Sequence, residues 1–158
     1  MSADLRQAQG RPKVLFLCTG NSARSQMAEA WLRKLGGDRF EAYSAGTDPK
    51  GVNPLTIEVL REAGVDIPHA TSKHFKQYFG HVVFHYLITV CAEADAACPV
   101  NFPGVRHRFK WSFDDPAAAT GTREEKLAVF RRVRDEIKGK IEEFLASQAS
   151  ASHAKART

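Results

Sequence analysis

The chain has 158 residues, of which 43% are hydrophobic and 26% charged, and this length and composition are typical of one water-soluble globular domain. No apolar run approaches the roughly 20 residues that span a bilayer, and the polar start lacks a signal segment, so we expect a cytoplasmic protein without membrane contacts. The net charge of +5 favours an anionic substrate but not nucleic acid, because acidic residues follow the basic run 131–134 and no nucleic-acid-binding motif occurs.

The first predicted elements are a strand, a loop and a helix. Residues 1–11 are polar and are predicted to be a flexible arm. Residues 13–18 form a continuous apolar run, typical of a buried strand, and residues 26–35 place apolar side chains along one helical face. The glycine pair 36–37 ends that helix, and a short second strand is predicted over residues 41–44.

Helices and strands continue to alternate along the chain. Asn53 and Pro54 are typical of a helix N-terminus, and this second helix should end near Gly64. Two further strands are predicted over residues 86–90 and 105–110. Alternating strands and helices form parallel sheets, so the sequence predicts an α/β protein, a three-layer sandwich around a four-stranded parallel sheet.

The last predicted helix is the longest one. Thr122 and Glu125 have the spacing of a capping box, which predicts that the helix begins there. Its periodic apolar residues end near Leu145, and the residues 147–158, rich in Ala, Ser and Lys, are predicted to be a disordered tail. The sequence therefore predicts a single folded domain over residues 12–146.

The loop between the first strand and the first helix carries the strongest chemical signal. Cys18 ends the strand, and Arg24 follows six residues later at the start of the helix. Loop N–H groups, a helix N-terminus and a guanidinium all attract an oxyanion, and they also favour the nucleophilic thiolate form of a cysteine. These features predict that a tetrahedral oxyanion is held against the sulfur of Cys18. The predicted substrate-binding residues are Thr19, Gly20, Asn21, Ser22, Ala23, Arg24 and Ser25.

The residues 18–29, CTGNSARSQMAE, resemble the signature loop of the low-molecular-weight protein tyrosine phosphatase superfamily, and within it that of the thioredoxin-coupled arsenate reductases. The resemblance runs over about residues 13–145 and includes the acidic pair Asp114 and Asp115 before Pro116. It implies a phosphatase-like fold, arsenate or phosphate as the oxyanion, and Asp115 as the general acid for the leaving oxygen. Asp114 is the alternative acid, and without the resemblance the pair could equally be an ordinary turn.

Two further cysteines bear on the reaction that follows. Three cysteines are an odd number that cannot form a closed disulfide framework, and Cys91 and Cys98 lack zinc-site spacing, so no metal is expected. Cys18 and Cys91 both stand at the carboxyl ends of predicted strands, so the fold can bring them to one sheet edge. The resemblance implies a relay in which Cys91 attacks the arsenic-bearing sulfur, arsenite leaves, and Cys98 then forms a disulfide with Cys91. Thioredoxin is the implied reductant of that disulfide, and no cofactor is expected.

The relay places a condition on residues 92–97. If this segment is helical in the reduced protein, the two cysteines, which are seven positions apart, are separated by about 10 Å. A disulfide requires Cα atoms within roughly 4.4–6.8 Å, so the segment must unwind or loop out on oxidation. We therefore expect it to be marginal and mobile. Taken alone, the two cysteines could equally be a buried strand-end thiol and an inert loop thiol.

A tyrosine phosphatase that hydrolyses aryl phosphates through a cysteinyl-phosphate is the main alternative, because both reactions begin with attack by Cys18. Phosphotyrosine-directed members usually carry aromatic residues after the Asp-Pro pair, whereas this chain continues with alanines at 117–119. Weak phosphatase activity is still expected, since such a site hardly distinguishes phosphate from arsenate. A non-catalytic oxyanion sensor is disfavoured, because Cys18 and Asp115 are both present.

A cation site of the superfamily is altered in this chain. Some of the reductases bind potassium beside the loop, through residues that correspond to Asn21, Glu29 and Ser44 and through an aspartate. Lys73 stands in the position of that aspartate. We expect its ammonium group to replace the cation.

Three other residues are noted without a catalytic role. Many relatives carry a second loop cysteine where this chain has Ala23, and the substitution should remove only a site of stray oxidation. His81 and His85 precede the third predicted strand and have no functional interpretation.

We expect the protein to be a monomer.

Overall fold

The computed structural model describes residues 10–97, 102 and 104–157, over which strands and helices alternate. The strands are β1 (Lys13–Cys18), β2 (Glu41–Gly46), β3 (Tyr86–Thr89) and β4 (His107–Lys110). The α-helices are α1 (Arg24–Gly36), α2 (Pro54–Glu62), α3 (Ala92–Ala97) and α4 (Arg123–Arg157). Two short 3-10 helices cover Phe75–Tyr78 and Pro116–Ala118. The predicted elements are all present, although β3 ends one residue earlier and β4 begins two residues later than the sequence predicts.

The strands form one parallel sheet in the order β2-β1-β3-β4, which confirms the predicted α/β fold. β1 lies between β2 and β3, with Cys18 opposite Gly46 and Leu17 opposite Thr89. Helix α4 packs against α1 and α2, while α3 contacts β1 and β3. Since parallel strands point the same way, their carboxyl ends meet at one edge of the sheet, where ligands bind in folds of this type.

Apolar burial accounts for the two most strongly patterned elements. Val14, Leu15, Phe16 and Leu17 of β1 are all fully buried, as expected for a central strand that helices cover on both faces. The apolar stripe of α4 is also buried, over Leu127, Phe130, Val133, Ile137 and Ile141. Each such side chain stabilises the fold by about 1.5–3 kcal/mol relative to an exposed position.

Both predicted helix caps are present. The main-chain N–H of Glu125 donates to Thr122 Oγ1 (3.2 Å), and the N–H of Thr122 donates to Glu125 Oε1 (3.3 Å), which is the reciprocal pair of a capping box. At the start of α2, Asn53 Oδ1 accepts from the N–H of Leu55 (2.9 Å). Side-chain oxygens thus satisfy N–H groups that the first helical turn leaves unpaired.

The C-terminal part of the chain differs from its prediction. Helix α4 continues to Arg157, over residues that the sequence predicts to be a disordered tail. The Tyr86 hydroxyl donates to Gln148 Oε1 (2.8 Å), which ties this continuation to the sheet. Alanine is the strongest helix former, and neither glycine nor proline interrupts the chain after Gly139, so the helix has no stop signal.

The structure describes the end of the predicted N-terminal arm and gives one of the two histidines a structural contact. Residues 1–9 of the predicted arm lie outside the described residues, whereas the Arg11 guanidinium donates to the carbonyl of Gly37. His85 Nδ1 accepts from the N–H of Lys13 (3.2 Å), which gives His85 a structural role at the start of β1. Within the described residues, no helix combines the length and the apolar character that crossing a membrane requires.

Candidate active site

The loop between β1 and α1 surrounds the sulfur of Cys18. Cys18 is the last residue of β1 and only 2% of it is exposed. Its Sγ accepts from the N–H of Asn21 (3.1 Å) and lies 2.8 Å from Ser25 Oγ. Asn21 has a φ of 47°, a left-handed conformation that asparagine tolerates better than most residues and that turns its N–H towards the sulfur.

The side chain of Asn21 determines which way the Ser25 hydroxyl points. Asn21 Nδ2 donates to Ser25 Oγ (2.8 Å) and Ser44 Oγ (3.0 Å), and its Oδ1 accepts from the N–H of Lys73 (2.9 Å). Because Ser25 Oγ already accepts a hydrogen bond, its own proton is available for the sulfur of Cys18. Two donors therefore converge on the sulfur of Cys18, the N–H of Asn21 and the hydroxyl of Ser25.

Carbonyl groups of the loop accept hydrogen bonds from residues outside it, and these contacts hold the loop backbone in place. The Gly20 carbonyl accepts from the N–H of Lys50 (2.9 Å) and from Ser72 Oγ (2.9 Å). The Ser22 carbonyl accepts from the N–H of Asn53 (3.1 Å) and from Thr56 Oγ1 (3.0 Å). A rigid nest of inward N–H groups at a helix N-terminus is a general anion-binding arrangement.

Glycine at position 46 is required for the close approach of β2 to this loop. A Cβ atom there would lie 2.4 Å from the carbonyl oxygen of Thr19 and 3.0 Å from the nitrogen of Asn21. Real Cβ atoms do not approach backbone atoms so closely, so any other residue would push the loop away from the sheet. The conformation around Cys18 thus depends on Gly46 as well as on the loop itself.

Arg24 links the loop to the segment that carries the predicted acid. Its Nη1 donates to the Phe113 carbonyl (3.2 Å), and its Nη2 lies 3.8 Å from Asp115 Oδ2. Cys18, Arg24 and Asp115 line the same cavity of about 490 Å³. A carboxyl group, a guanidinium and a thiol thus face one space that is large enough for an oxyanion.

The two acidic candidates face different surroundings. Asp115 lines the cavity, and its Oδ1 accepts from the N–H of Ala117 (3.0 Å), which caps the following 3-10 helix. Asp114 is not among the described residues that line the cavity; its Oδ2 pairs with Arg132 Nη2 (3.1 Å), and its side chain is 75% exposed. The geometry favours Asp115, since only its carboxyl group lies beside the cavity.

Cys91 lies next to the same loop. It follows β3, only 3% of it is exposed, and its Sγ is 3.5 Å from Thr19 Oγ1. The predicted proximity of Cys18 and Cys91 at the sheet edge agrees with this contact, because Thr19 is the neighbour of Cys18 along the chain. Cys98 lies outside the described residues.

The residues of the expected cation site surround a buried carboxylate. Glu29 is 6% exposed and pairs with Arg33 (3.3 Å), and burial raises its pKa although the charges of Arg33 and Lys73 oppose the shift. Burial lowers the pKa of Lys73, whose ammonium donates to the Thr71 carbonyl (2.7 Å). A lysine charge thus acts on Glu29, close to Asn21 and Ser44.

Sequence reasoning missed two side chains that hold the loop. Gln26 Nε2 donates to the carbonyls of Asn21 (3.1 Å) and Thr71 (2.9 Å), and Ser72 supports Gly20 as described above. Thr71 and Ser72 are separated from these partners by at least 45 positions in the chain, so no local pattern could indicate the contacts.

Comparison with known proteins agrees with this geometry. The sequence pattern of the low molecular weight phosphotyrosine protein phosphatase family matches residues 13–155. An arsenate reductase of Halalkalibacterium halodurans is 48% identical over 131 residues, which are 83% of this chain and 93% of the relative. A solved arsenate reductase in its phosphate binding state is 31% identical, with a TM-score of 0.69 over 86% of this chain and 98% of its own. A thioredoxin-dependent arsenate reductase of Corynebacterium glutamicum is 30% identical, with a TM-score of 0.66 over 92% of this chain and 69% of its own. The chain therefore belongs to the low molecular weight phosphotyrosine protein phosphatase family.

Proposed function

We propose that the protein is an arsenate reductase that passes electrons from thioredoxin through Cys98 and Cys91 to the adduct of arsenate with Cys18. The observation that carries the proposal is the position of Cys91, whose sulfur lies 3.5 Å from Thr19 Oγ1 in the loop that surrounds Cys18. A phosphatase needs no second thiol at this position. The arsenate reductases among its relatives, one of them thioredoxin-dependent, support the same assignment.

The first step forms a bond between sulfur and arsenic. The Cys18 thiolate attacks arsenate, which the loop N–H groups and Arg24 bind, and one oxygen leaves as water after Asp115 donates a proton to it. Arg24 suits this role because its fork can donate two parallel hydrogen bonds, and the charge that develops on the oxyanion is neutralised. The product is a thiol–arsenate adduct in which arsenic is still pentavalent.

The second and third steps move two electrons. The Cys91 thiolate attacks the sulfur of Cys18, the electron pair of the sulfur–arsenic bond passes to arsenic, and arsenite leaves as a Cys18–Cys91 disulfide forms. Cys98 then attacks the sulfur of Cys91 and releases Cys18 as a thiolate. The dithiol of thioredoxin reduces the resulting Cys91–Cys98 disulfide and is itself oxidised.

The relay is tested by arsenate turnover with thioredoxin, thioredoxin reductase and NADPH. Wild type should consume one NADPH for each arsenite formed. Cys91→Ser and Cys98→Ser should each lower steady-state turnover at least about tenfold, since thioredoxin must then act on a buried sulfur. Full multiple turnover in either variant would eliminate the relay.

Aryl-phosphate hydrolysis serves as the matched control, because it uses the loop but not the relay. Both cysteine variants should hydrolyse p-nitrophenyl phosphate as weakly as wild type does. No aromatic residue is among the described residues that line the cavity, so nothing there stacks on an aryl ring. Efficient hydrolysis of phosphotyrosine peptides, together with no arsenate reduction, would favour the phosphatase alternative instead.

We also propose that Lys73 makes turnover independent of potassium. Its charge already acts on the buried Glu29, where a cation would otherwise be needed. Turnover of wild type should therefore differ by less than about twofold between potassium chloride and choline chloride at equal ionic strength, because no cation has to bind. Lys73→Asp restores an anionic oxygen ligand and should make turnover depend on potassium. Strong potassium activation of wild type would contradict the proposal.

A further inference from the structure

An acidic side chain of the short helix α3 bonds the helix to the sheet. Asp95 Oδ1 accepts from Thr89 Oγ1 (3.2 Å), and Asp95 Oδ2 lies 3.1 Å from Lys110 Nζ. Arg108 Nη2 lies 3.6 Å from Asp95 Oδ1 and donates to the Asp95 carbonyl (3.4 Å). These four residues are called the Asp95 clasp below. They connect α3 to the two neighbouring strands β3 and β4.

The clasp is more protected than an ordinary surface ion pair. The side chains of Asp95 and Arg108 are only 18% and 30% exposed, although that of Lys110 is 74% exposed. Burial opposes ionisation of Asp95, but the hydrogen bonds from Lys110 and Thr89 and the charges of Lys110 and Arg108 outweigh it and hold its pKa below the usual value. Asp95 is therefore a carboxylate at neutral pH.

Helix α3 depends on such contacts because it is very short. A helix of six residues is not stable alone in water, since the cost of the first turn is not recovered. Ala94 also packs into the core, but its side chain is small. The N–H of Asp95 donates to the Cys91 carbonyl (3.2 Å), so the residue that carries the clasp also closes the first helical turn.

The Asp95 clasp holds residues 92–97 as a helix, whereas the relay disulfide requires that this helix open. A helical path over the seven positions from one cysteine to the other would span about 10 Å, whereas a disulfide requires Cα atoms within roughly 6.8 Å. A disulfide between the cysteines that flank α3 therefore requires the helix to open. Asp95 lies in the middle of the segment that moves, and its partners lie on strands that remain in the sheet.

We propose that Asp95 is a positioning residue of the relay, whose clasp keeps α3 closed while Cys91 lies beside Thr19 and is broken when the Cys91–Cys98 disulfide forms. This inference rests on the proposed function. In the relay, Cys98 loses its thiol proton and attacks the sulfur of Cys91 in the Cys18–Cys91 disulfide, and Cys18 leaves as a thiolate that carries the electron pair of the broken bond. When Cys91 and Cys98 are oxidised as free thiols, oxidised dithiothreitol accepts their two electrons and two protons. Because the clasp exists only in the reduced form, it stabilises that form and raises the reduction potential of the pair.

The potential is measured in the full chain with Cys18→Ser, so that only Cys91 and Cys98 can pair. The protein is equilibrated in buffers of reduced and oxidised dithiothreitol, and its free thiols are counted. Asp95→Asn should shift the equilibrium threefold to tenfold towards the disulfide, which is about 15–30 mV more negative for a two-electron couple. High salt should lower the potential of the parent protein towards that of Asp95→Asn and leave the variant nearly unchanged.

Glu93→Gln is the matched control, because it removes the same charge from the same helix at an exposed position outside the clasp. It reports how a nearby negative charge affects the thiolates, and its potential should stay close to that of the parent. Lys110→Met breaks the clasp from β4 and should reproduce the shift of Asp95→Asn. Equal potentials in Asp95→Asn and Glu93→Gln would overturn the clasp. Failure of the parent protein to lose two thiols would overturn the relay itself, and the clasp with it.

Discussion

Replacement of Cys18 by serine is expected to abolish arsenate reduction, with a fall of at least about 10⁴-fold in turnover. The serine hydroxyl is a poor nucleophile at neutral pH, and its oxygen cannot form the disulfide through which Cys91 releases arsenite. The loss should be seen both in steady-state turnover with thioredoxin and in a single turnover, where arsenite is quantified against enzyme. Aryl-phosphate hydrolysis should be lost to the same extent, because both reactions begin at this sulfur.

Binding of the oxyanion provides the control for Cys18→Ser. The N–H groups of the loop and Arg24 remain in place, and serine is nearly isosteric with cysteine, so calorimetric titration with phosphate should give an affinity within a few-fold of wild type. Loss of binding together with activity would mean that the substitution had collapsed the loop. Residual turnover above about 1% of wild type would contradict the assignment of Cys18 as the nucleophile, since removing a nucleophile costs far more.

Local sequence patterns predict most of the fold, because the signals lie within a few residues of one another. Three of these signals each cover only a few neighbouring residues: the apolar run of β1, the cap at Asn53 and the capping box at Thr122. The structure contains all three. The end of α4 was not predictable in this way. Residues 147–157 lack apolar periodicity, but their helix is stabilised by alanine propensity and by the contact of Gln148 with Tyr86, 62 positions away.

In the candidate site, too, the local features were predictable from the sequence and the long-range contacts were not. The order of strand, loop and helix predicts an anion-binding loop around Cys18, and the parallel topology places Cys91 beside this loop. The contacts that orient the loop are long-range. The N–H of Lys73 donates to the Asn21 side chain from 52 positions away, and Arg24 donates to the Phe113 carbonyl, 89 positions away. Such partners become visible only after the sheet order brings their loops together.

The acidic pair gives a second test with a large effect and an internal control. Asp115→Asn should lower the kcat/KM for arsenate by about 10²-fold or more, the usual contribution of a general acid. An asparagine oxygen can still accept from the N–H of Ala117, so the 3-10 helix and the cavity should keep their shape. Asp114→Asn removes an exposed ion pair with Arg132 and should change kcat/KM by less than about threefold. The opposite ranking of the two variants would assign the acid to Asp114.

The leaving group distinguishes a lost acid from a disturbed loop. Phenyl phosphate expels a basic phenolate that needs a proton, whereas p-nitrophenyl phosphate expels a much weaker base that needs little help. If Asp115 supplies the proton, Asp115→Asn should slow cleavage of phenyl phosphate more strongly than cleavage of p-nitrophenyl phosphate, by about tenfold or more in their ratio. A misplaced Arg24 would slow both substrates equally, because the guanidinium binds the oxyanion that they share. An unchanged ratio would therefore show that Asp115 is not the general acid. Its role would then be only to cap the 3-10 helix and to contact Arg24.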